Sequence, residues 1–227
     1  MLPYTPPPAI NGPSQAAQIK ALDHLWGSPN DPQTPLTLSA MWIDTPLGIM
    51  LAIADSRSLQ LLDFVDRKHL SNRITSLRLF ASACISHTPH PDHLPILKRV
   101  KTALDRYFEG SGFLGHVGHP LQIPLASISP DSDATQFQRT VWNELLRIPL
   151  GQTRSYAQQA VAMDRPTATR AVALANSQNY ISLLIPCHRV IGSDGSLTGY
   201  AGGVWRKQWL LAHEVRLAAK ALDLGIS

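Results

Sequence analysis

Cys187, His188 and Arg189 stand side by side where an apolar run ends, in Ser182-Leu183-Leu184-Ile185-Pro186-Cys187-His188-Arg189-Val190-Ile191-Gly192. A thiol attacks as its thiolate, and an adjacent imidazole or cation lowers its pKa from about 8.5. Structural cysteines usually have apolar neighbours on both sides. This one leaves an apolar strand at a proline-fixed corner, just before a proton acceptor and a cation. By themselves these residues fit a nucleophile and a half-buried core cysteine equally well.

The flanking sequence separates the two readings. Arg170-Ala171-Val172-Ala173-Leu174-Ala175, Asn179 and Ile185-Pro186-Cys187-His188-Arg189-Val190 follow one another. Gly199-Tyr200-Ala201-Gly202-Gly203, Lys207 and Leu210-Leu211-Ala212-His213-Glu214 come after them, and Phe137-Gln138-Arg139-Thr140-Val141-Trp142 and Ile148-Pro149-Leu150-Gly151-Gln152-Thr153-Arg154-Ser155-Tyr156 lie upstream. In this order and spacing they resemble the O6-alkylguanine-DNA alkyltransferases, densely over residues 134–214 and more faintly towards the N-terminus.

That resemblance implies an in-line displacement in which a thiolate takes the alkyl carbon from guanine O6 and keeps it as a thioether. Cys187 would be the nucleophile and His188 would accept its proton through a water, because neighbours on an extended strand point to opposite sides. Glu214, on an amphipathic C-terminal helix, would orient the imidazole; without the resemblance it reads as a solvated helix acid. Tyr156 would protonate the purine and crowd the flipped nucleotide's phosphate. Arg170 would fill the gap left by the base, while Ala171 and Ala173 let the helix backbone approach the minor groove. Asn179 would tie the hinge, with Pro186, Val190, Tyr200, Ala201 and Gly202 forming the pocket. The implied partner is double-stranded DNA carrying O6-alkylguanine, with O4-alkylthymine a further substrate. The protein is read as a cytoplasmic monomer (nuclear in a eukaryote) needing no cofactor and no metal.

Several positions depart from the family pattern. Ala173 and Leu174 stand where many members have glycines, Tyr180 replaces a common proline, and Ala201 stands where serine is frequent. These bear on DNA-binding strength and substrate breadth rather than on the transfer chemistry. Two other classes remain as comparisons: a lesion-binding protein without turnover, and a cysteine hydrolase built on Cys187, His188 and Glu214.

Composition narrows the classes further. The chain has 227 residues, 44% of them hydrophobic, which suits a folded protein. No window approaches the roughly 18 apolar residues of a membrane span, and the first residues have neither the charge nor the apolar run of a signal peptide. Cys84 and Cys187 make no disulfide framework and suit a reducing compartment. The pI is near 9.3, yet from Asp131 onward 10 basic residues face 7 acidic ones, and before it 10 face 9. Electrostatics permits DNA binding without demanding it.

The elements that would position these groups read as α+β. Residues 1–35 are expected to be a flexible extension with a helical turn or two around residues 16–26. Residues 36–128 read as an α+β domain, which the resemblance implies is ribonuclease-H-like: an antiparallel meander of three strands, helices over about 67–81 and 94–108, and an edge strand at Leu121-Gln122-Ile123-Pro124-Leu125. Cys84, His87, His90 and His93 recur every third residue, but Pro89, Pro91 and Pro95 argue for an open loop, not a metal site. Residues 131–222 read as a mostly helical DNA-binding and alkyltransferase domain. In it, a helix over about 135–147 buries Phe137, Val141, Leu145 and Leu146. Ser155 caps the first helix of a helix-turn-helix, and a short active-site strand follows.

Overall fold

β-Branched and apolar residues from Leu36 onward build the sheet that dominates the first part of the chain. The structure is a computed structural model that describes residues 15–26, 36–111 and 134–223. These fall into two compact units, one of residues 15–26 and 36–105, the other of residues 106–111 and 134–223.

In the first unit β1 (Leu36–Ile43), β2 (Met50–Ala54) and β3 (Leu59–Phe64) form the expected antiparallel meander. Thr45 and Gly48 close the first turn, the Thr45 hydroxyl donating to the Gly48 carbonyl at 2.6 Å. Asp55 closes the second, its carboxylate accepting the Arg57 and Ser58 amides at 2.7 and 2.6 Å. α2 (Leu70–Ala81) follows, and then β4 (Ala83–Ser86) pairs with β1 in parallel, so the sheet order is β3-β2-β1-β4. The sheet is therefore mixed. β4 occupies what reads in the sequence as an open loop, because a four-residue strand is too short to show a period and is defined only by its ladder with β1.

Cys84 and His87 lie in surroundings separate from His90 and His93, whose rings are 5.1 Å apart. Cys84 is buried on β4 beside the Thr37 hydroxyl, His93 is buried with Nδ1 2.8 Å from Ser39 Oγ, and His87 packs edge-on against Trp26. Among the described residues no group of three or more His, Cys, Asp or Glu is arranged to hold a metal ion. In residues 15–26, α1 (Gln15–Lys20) and a 3-10 turn at Asp23–Leu25 deliver Leu22, Leu25 and Trp26 into the core with Leu38, Leu51, Ile53 and Ile74. The proposed strand at residues 121–125 lies outside the described residues.

α3 (Leu94–Glu109) ends in the second unit, which is helical apart from one short ladder. Its α4 (Gln136–Leu145) opens on a capping box between Thr135 and Gln138 and buries Val141, Trp142 and Leu145, while Phe137 and Leu146 are only half-buried. β5 (Arg154–Ser155) leads straight into α5 (Tyr156–Ala162), where Ser155 and Gln158 form a second capping box. A 3-10 turn at Pro166–Ala168 introduces α6 (Thr169–Ser177), completing the helix-turn-helix. β6 (Val190–Ile191) pairs in parallel with β5, and α7 (Val204–Asp223) closes the fold. Among the described residues no helix is long and apolar enough to cross a membrane.

Candidate active site

The apolar run before Cys187 is a compact turn rather than a strand. Leu183 has φ +70, and the Ile185 amide donates to the Ile181 carbonyl at 3.0 Å. Asn179 is the centre of this turn: its Oδ1 accepts the Ile181 amide at 3.0 Å and its Nδ2 donates to the Ile185 carbonyl at 2.8 Å. The same Nδ2 lies 3.2 Å from Cys187 Sγ. Apolar composition alone suggests a strand here, because side chains are buried on every side of the turn. Pro186, at φ −83 and ψ 61, makes an inverse γ-turn that delivers Cys187 into a 3-10 turn, Cys187–Arg189.

That turn replaces the expected extended geometry at Cys187 and His188. A 3-10 turn advances about 120° per residue, so the two side chains still diverge. The thiol is half-buried, whereas His188 and Arg189 are 1% and 0% exposed. Both enclosed side chains meet Glu214 of α7, which is itself fully buried. His188 Nε2 lies 2.8 Å from Glu214 Oε1. Arg189 donates from Nε to Oε2 at 2.7 Å and from Nη2 to Oε1 at 2.9 Å. The Tyr107 hydroxyl donates to Oε1 at 3.1 Å, and Arg189 Nη1 reaches the Ile148 carbonyl at 2.7 Å.

Electrostatics assigns the protonation states. Burial works against the charge on Glu214, but His188 and then Arg189 outweigh it and hold the carboxyl at about 2. Burial pushes His188 below its ordinary value despite Glu214, so the imidazole is neutral at pH 7. Burial, and then the Glu214 charge, raise Tyr107 well above 10, so it stays a donor. A carboxylate only accepts, so the imidazole hydrogen sits on Nε2 and Nδ1 carries the lone pair. His188 Nδ1 is buried with no protein hydrogen-bond partner, which leaves it available as a base.

The opposite wall comes from β5, α5 and the loop before α7. Tyr156 directs its hydroxyl at the Thr198 carbonyl, 3.3 Å away. A Cβ on Gly199, which has φ +74, would fall 2.8 Å from that hydroxyl. Burial, followed by the Cys187 charge, raises the Tyr156 pKa. Lys207 is fully buried and ties two segments, donating to the Val190 carbonyl at 2.5 Å and the Thr198 carbonyl at 2.8 Å. Burial pushes its pKa down to about 8, against an opposing pull from Cys187. Tyr200 packs edge-on to His188 with ring centres 6.4 Å apart. Gly151 sets α7 close behind: at φ +72, a Cβ there would lie 2.9 Å from Ala218 Cβ and 3.2 Å from the Glu214 carbonyl.

The structure thus groups Cys187, His188, Glu214, Asn179, Pro186, Val190, Tyr156 and Tyr200. Ala201 is exposed, and Gly202 is buried with its carbonyl taken by Arg206 at 2.7 Å. Arg170 and Ala171 are exposed and Ala173 half-buried on α6. Sequence reasoning missed Arg189, Lys207 and Tyr107. Arg189 and Lys207 were visible as cations inside the quoted motifs, but their partners were not. Tyr107 carries no local signal, lying 107 residues from Glu214.

Comparison with known proteins gives concordant findings. A family model described as "6-O-methylguanine DNA methyltransferase, DNA binding domain" matches residues 136–216. A methylated-DNA–protein-cysteine methyltransferase of Salmonella typhimurium is 60% identical over 90 residues, 40% of this chain and 53% of that protein, so the match spans about half the relative's length. One from Shigella flexneri is 38% identical over 186 residues, 76% of this chain and 92% of that protein. The crystal structure of Mycobacterium tuberculosis O6-methylguanine methyltransferase superposes with TM-score 0.62 at 32% identity, covering 82% of this chain and 98% of that one. The Mycobacterium tuberculosis OGT in complex with DNA superposes with TM-score 0.59 at 31% identity, covering 80% and 94%.

Proposed function

Because the chain belongs to the methylated-DNA–protein-cysteine methyltransferase family, we propose that it repairs DNA by moving the alkyl group of O6-alkylguanine onto Cys187. In the proposed step the Cys187 proton passes through a water to His188 Nδ1, and the thiolate Sγ attacks the alkyl carbon in line. The S–C bond forms as the C–O6 bond breaks, the electron pair returns to the purine, and the Tyr156 hydroxyl donates a proton to it. The product is a thioether, a poor leaving group, so each molecule acts once.

The observation that carries this reading is the state of His188. Its Nε2 is fixed by an ionised Glu214, which leaves the buried Nδ1 as a lone-pair acceptor one residue from a half-buried thiol. Asn179, donating to Sγ, favours the thiolate further. On the DNA side, Arg170 would enter the space of a flipped base, with Ala171 and Ala173 against the minor groove. Pro186, Val190, Tyr200, Ala201 and Gly202 would line the base pocket. The proposed partner is double-stranded DNA with O6-alkylguanine, O4-alkylthymine being a second substrate. The protein would act as a monomer in the cytoplasm, or in the nucleus of a eukaryote.

The test is intact mass after mixing with an O6-methylguanine duplex. A gain of one methylene on the peptide holding Cys187, with stoichiometric loss of lesion, is the expected result. Turnover beyond one lesion per protein, or no mass gain, rejects the proposal and favours the hydrolase or the lesion binder respectively.

A further inference from the structure

The outward face of α6 carries a large apolar side chain that its own fold leaves in water. Leu174 is 60% exposed, one turn beyond Arg170, which is also exposed. Positions four apart lie on one helix face. The inner face is fastened: Val172, Ala175 and Asn176 are 0%, 2% and 4% exposed. Trp142 Nε1 donates to the Ala175 carbonyl at 2.8 Å, and Asn176 Nδ2 donates to Gln159 Oε1 at 2.7 Å. Ser177 Oγ bonds back to the Leu174 carbonyl at 2.7 Å. The helix cannot roll to hide Leu174 without breaking the bonds to Trp142 and Gln159, so the side chain is presented at little conformational cost.

What α6 offers a partner is poor in hydrogen-bonding groups. Asn176 faces inward, and the hydroxyls of Thr169 and Ser177 point to backbone carbonyls. Ala171 is exposed beside Arg170. A face of this kind cannot read the donor and acceptor pattern of base edges except through Arg170. It can make apolar contact with sugars and wedge against bases, as Leu and similar residues do in distorted duplexes. The whole helix lies inside the matched DNA-binding segment, residues 136–216.

Resting on the repair reading above, we infer that Leu174 is an apolar DNA-contacting residue. It packs against the sugar walls and base edges of the groove that α6 enters, adding affinity that depends on neither sequence nor salt. Contact of this type releases no counterions, whereas each lost phosphate contact lowers the salt slope by about one.

The experiment is titration of a fluorescent duplex at several salt concentrations between about 50 and 200 mM. Leu174→Ala should weaken binding about tenfold at every salt, as expected for losing two or so buried methylenes, with an unchanged slope. Leu174→Met should recover most of the loss. Leu222→Ala, which removes a 73% exposed leucine on α7, should change nothing, and Arg170→Ala should flatten the slope. Transfer from free O6-benzylguanine should be normal in Leu174→Ala, since the pocket is untouched. Unchanged or tighter DNA binding by Leu174→Ala, or a loss that varies with salt, overturns the inference. A wild type that binds duplex with these ratios but accepts no alkyl group would support Leu174 as a DNA contact while removing the repair reading.

Discussion

Arg189 and Glu214 form a two-point ion pair, Nε to Oε2 at 2.7 Å and Nη2 to Oε1 at 2.9 Å, with neither side chain reaching solvent. The same carboxylate holds His188 Nε2. The hydrogen bond from His188, together with Arg189, therefore keeps Glu214 ionised, and His188 keeps its Nδ1 lone pair. The imidazole is set by two residues, only one of which is its neighbour in sequence.

Glu214→Gln follows from that pair. An isosteric amide fits the same space, but it leaves the Arg189 charge buried without its counter-charge. Breaking such a pair costs about 3–5 kcal/mol. Urea unfolding should show a loss of this size for Glu214→Gln and a smaller loss for the double variant Arg189→Leu/Glu214→Leu, in which no charge is stranded. A Glu214→Gln protein as stable as wild type contradicts this account.

His188 sets the acid side of both stability and rate. Its folded pKa lies below 6.5, as do those of His93 and His213, in each case chiefly through burial. The unfolded chain takes up these protons first, so stability is full above about 6.5 and falls as pH drops towards the folded values. The base form of His188 persists over the same range, so alkyl transfer from O6-benzylguanine should not lose half its rate at pH 6.5. Stopped-flow rates from pH 8 to 5 decide it: a midpoint at or above 6.5 would mean an ordinary exposed imidazole.

Lys207 is a positioning residue beside the thiol. Its ammonium pins Val190 and Thr198 and interacts favourably with the Cys187 charge. Lys207→Met should slow thiol alkylation about tenfold near pH 7 and move its pH profile upward, since one pKa unit corresponds to a factor of ten. Lys207→Arg should recover part of the shift. Equal rates with an unmoved profile would leave Lys207 a purely structural bridge.

Asn179 offers a cleaner separation of fold from reactivity. Asn179→Ala strands the buried Ile181 amide, a cost of about 1–3 kcal/mol, while the Ile185 carbonyl keeps the Cys187 amide at 2.8 Å. Asn179→Asp keeps the acceptor for Ile181 but replaces the donor at Sγ with a negative charge. Its thiol should therefore titrate higher than that of wild type when followed by iodoacetamide labelling against pH. A lower thiol pKa in Asn179→Asp would show that Nδ2 does not favour the thiolate.

The sequence by itself determined what is local. Ser155 before Tyr156 and Gln158 three residues on make a capping box from neighbours alone, and the meander of β1, β2 and β3 follows from apolar runs broken by Thr45-Pro46-Leu47-Gly48 and Asp55. The adjacency of Cys187 and His188 is likewise written in the chain, and the motifs around it place the protein in its family. Only the tertiary structure decided the rest. β4 is a strand because β1 supplies its ladder, and residues 182–185 turn because Asn179 ties their ends. Glu214, which reads as a solvated helix acid, is buried because α7 carries it to Arg189, His188 and Tyr107. Burial of a charge depends on partners brought from 25 to 107 residues away, and no local pattern of residue types encodes the desolvation and pairing that set its protonation state.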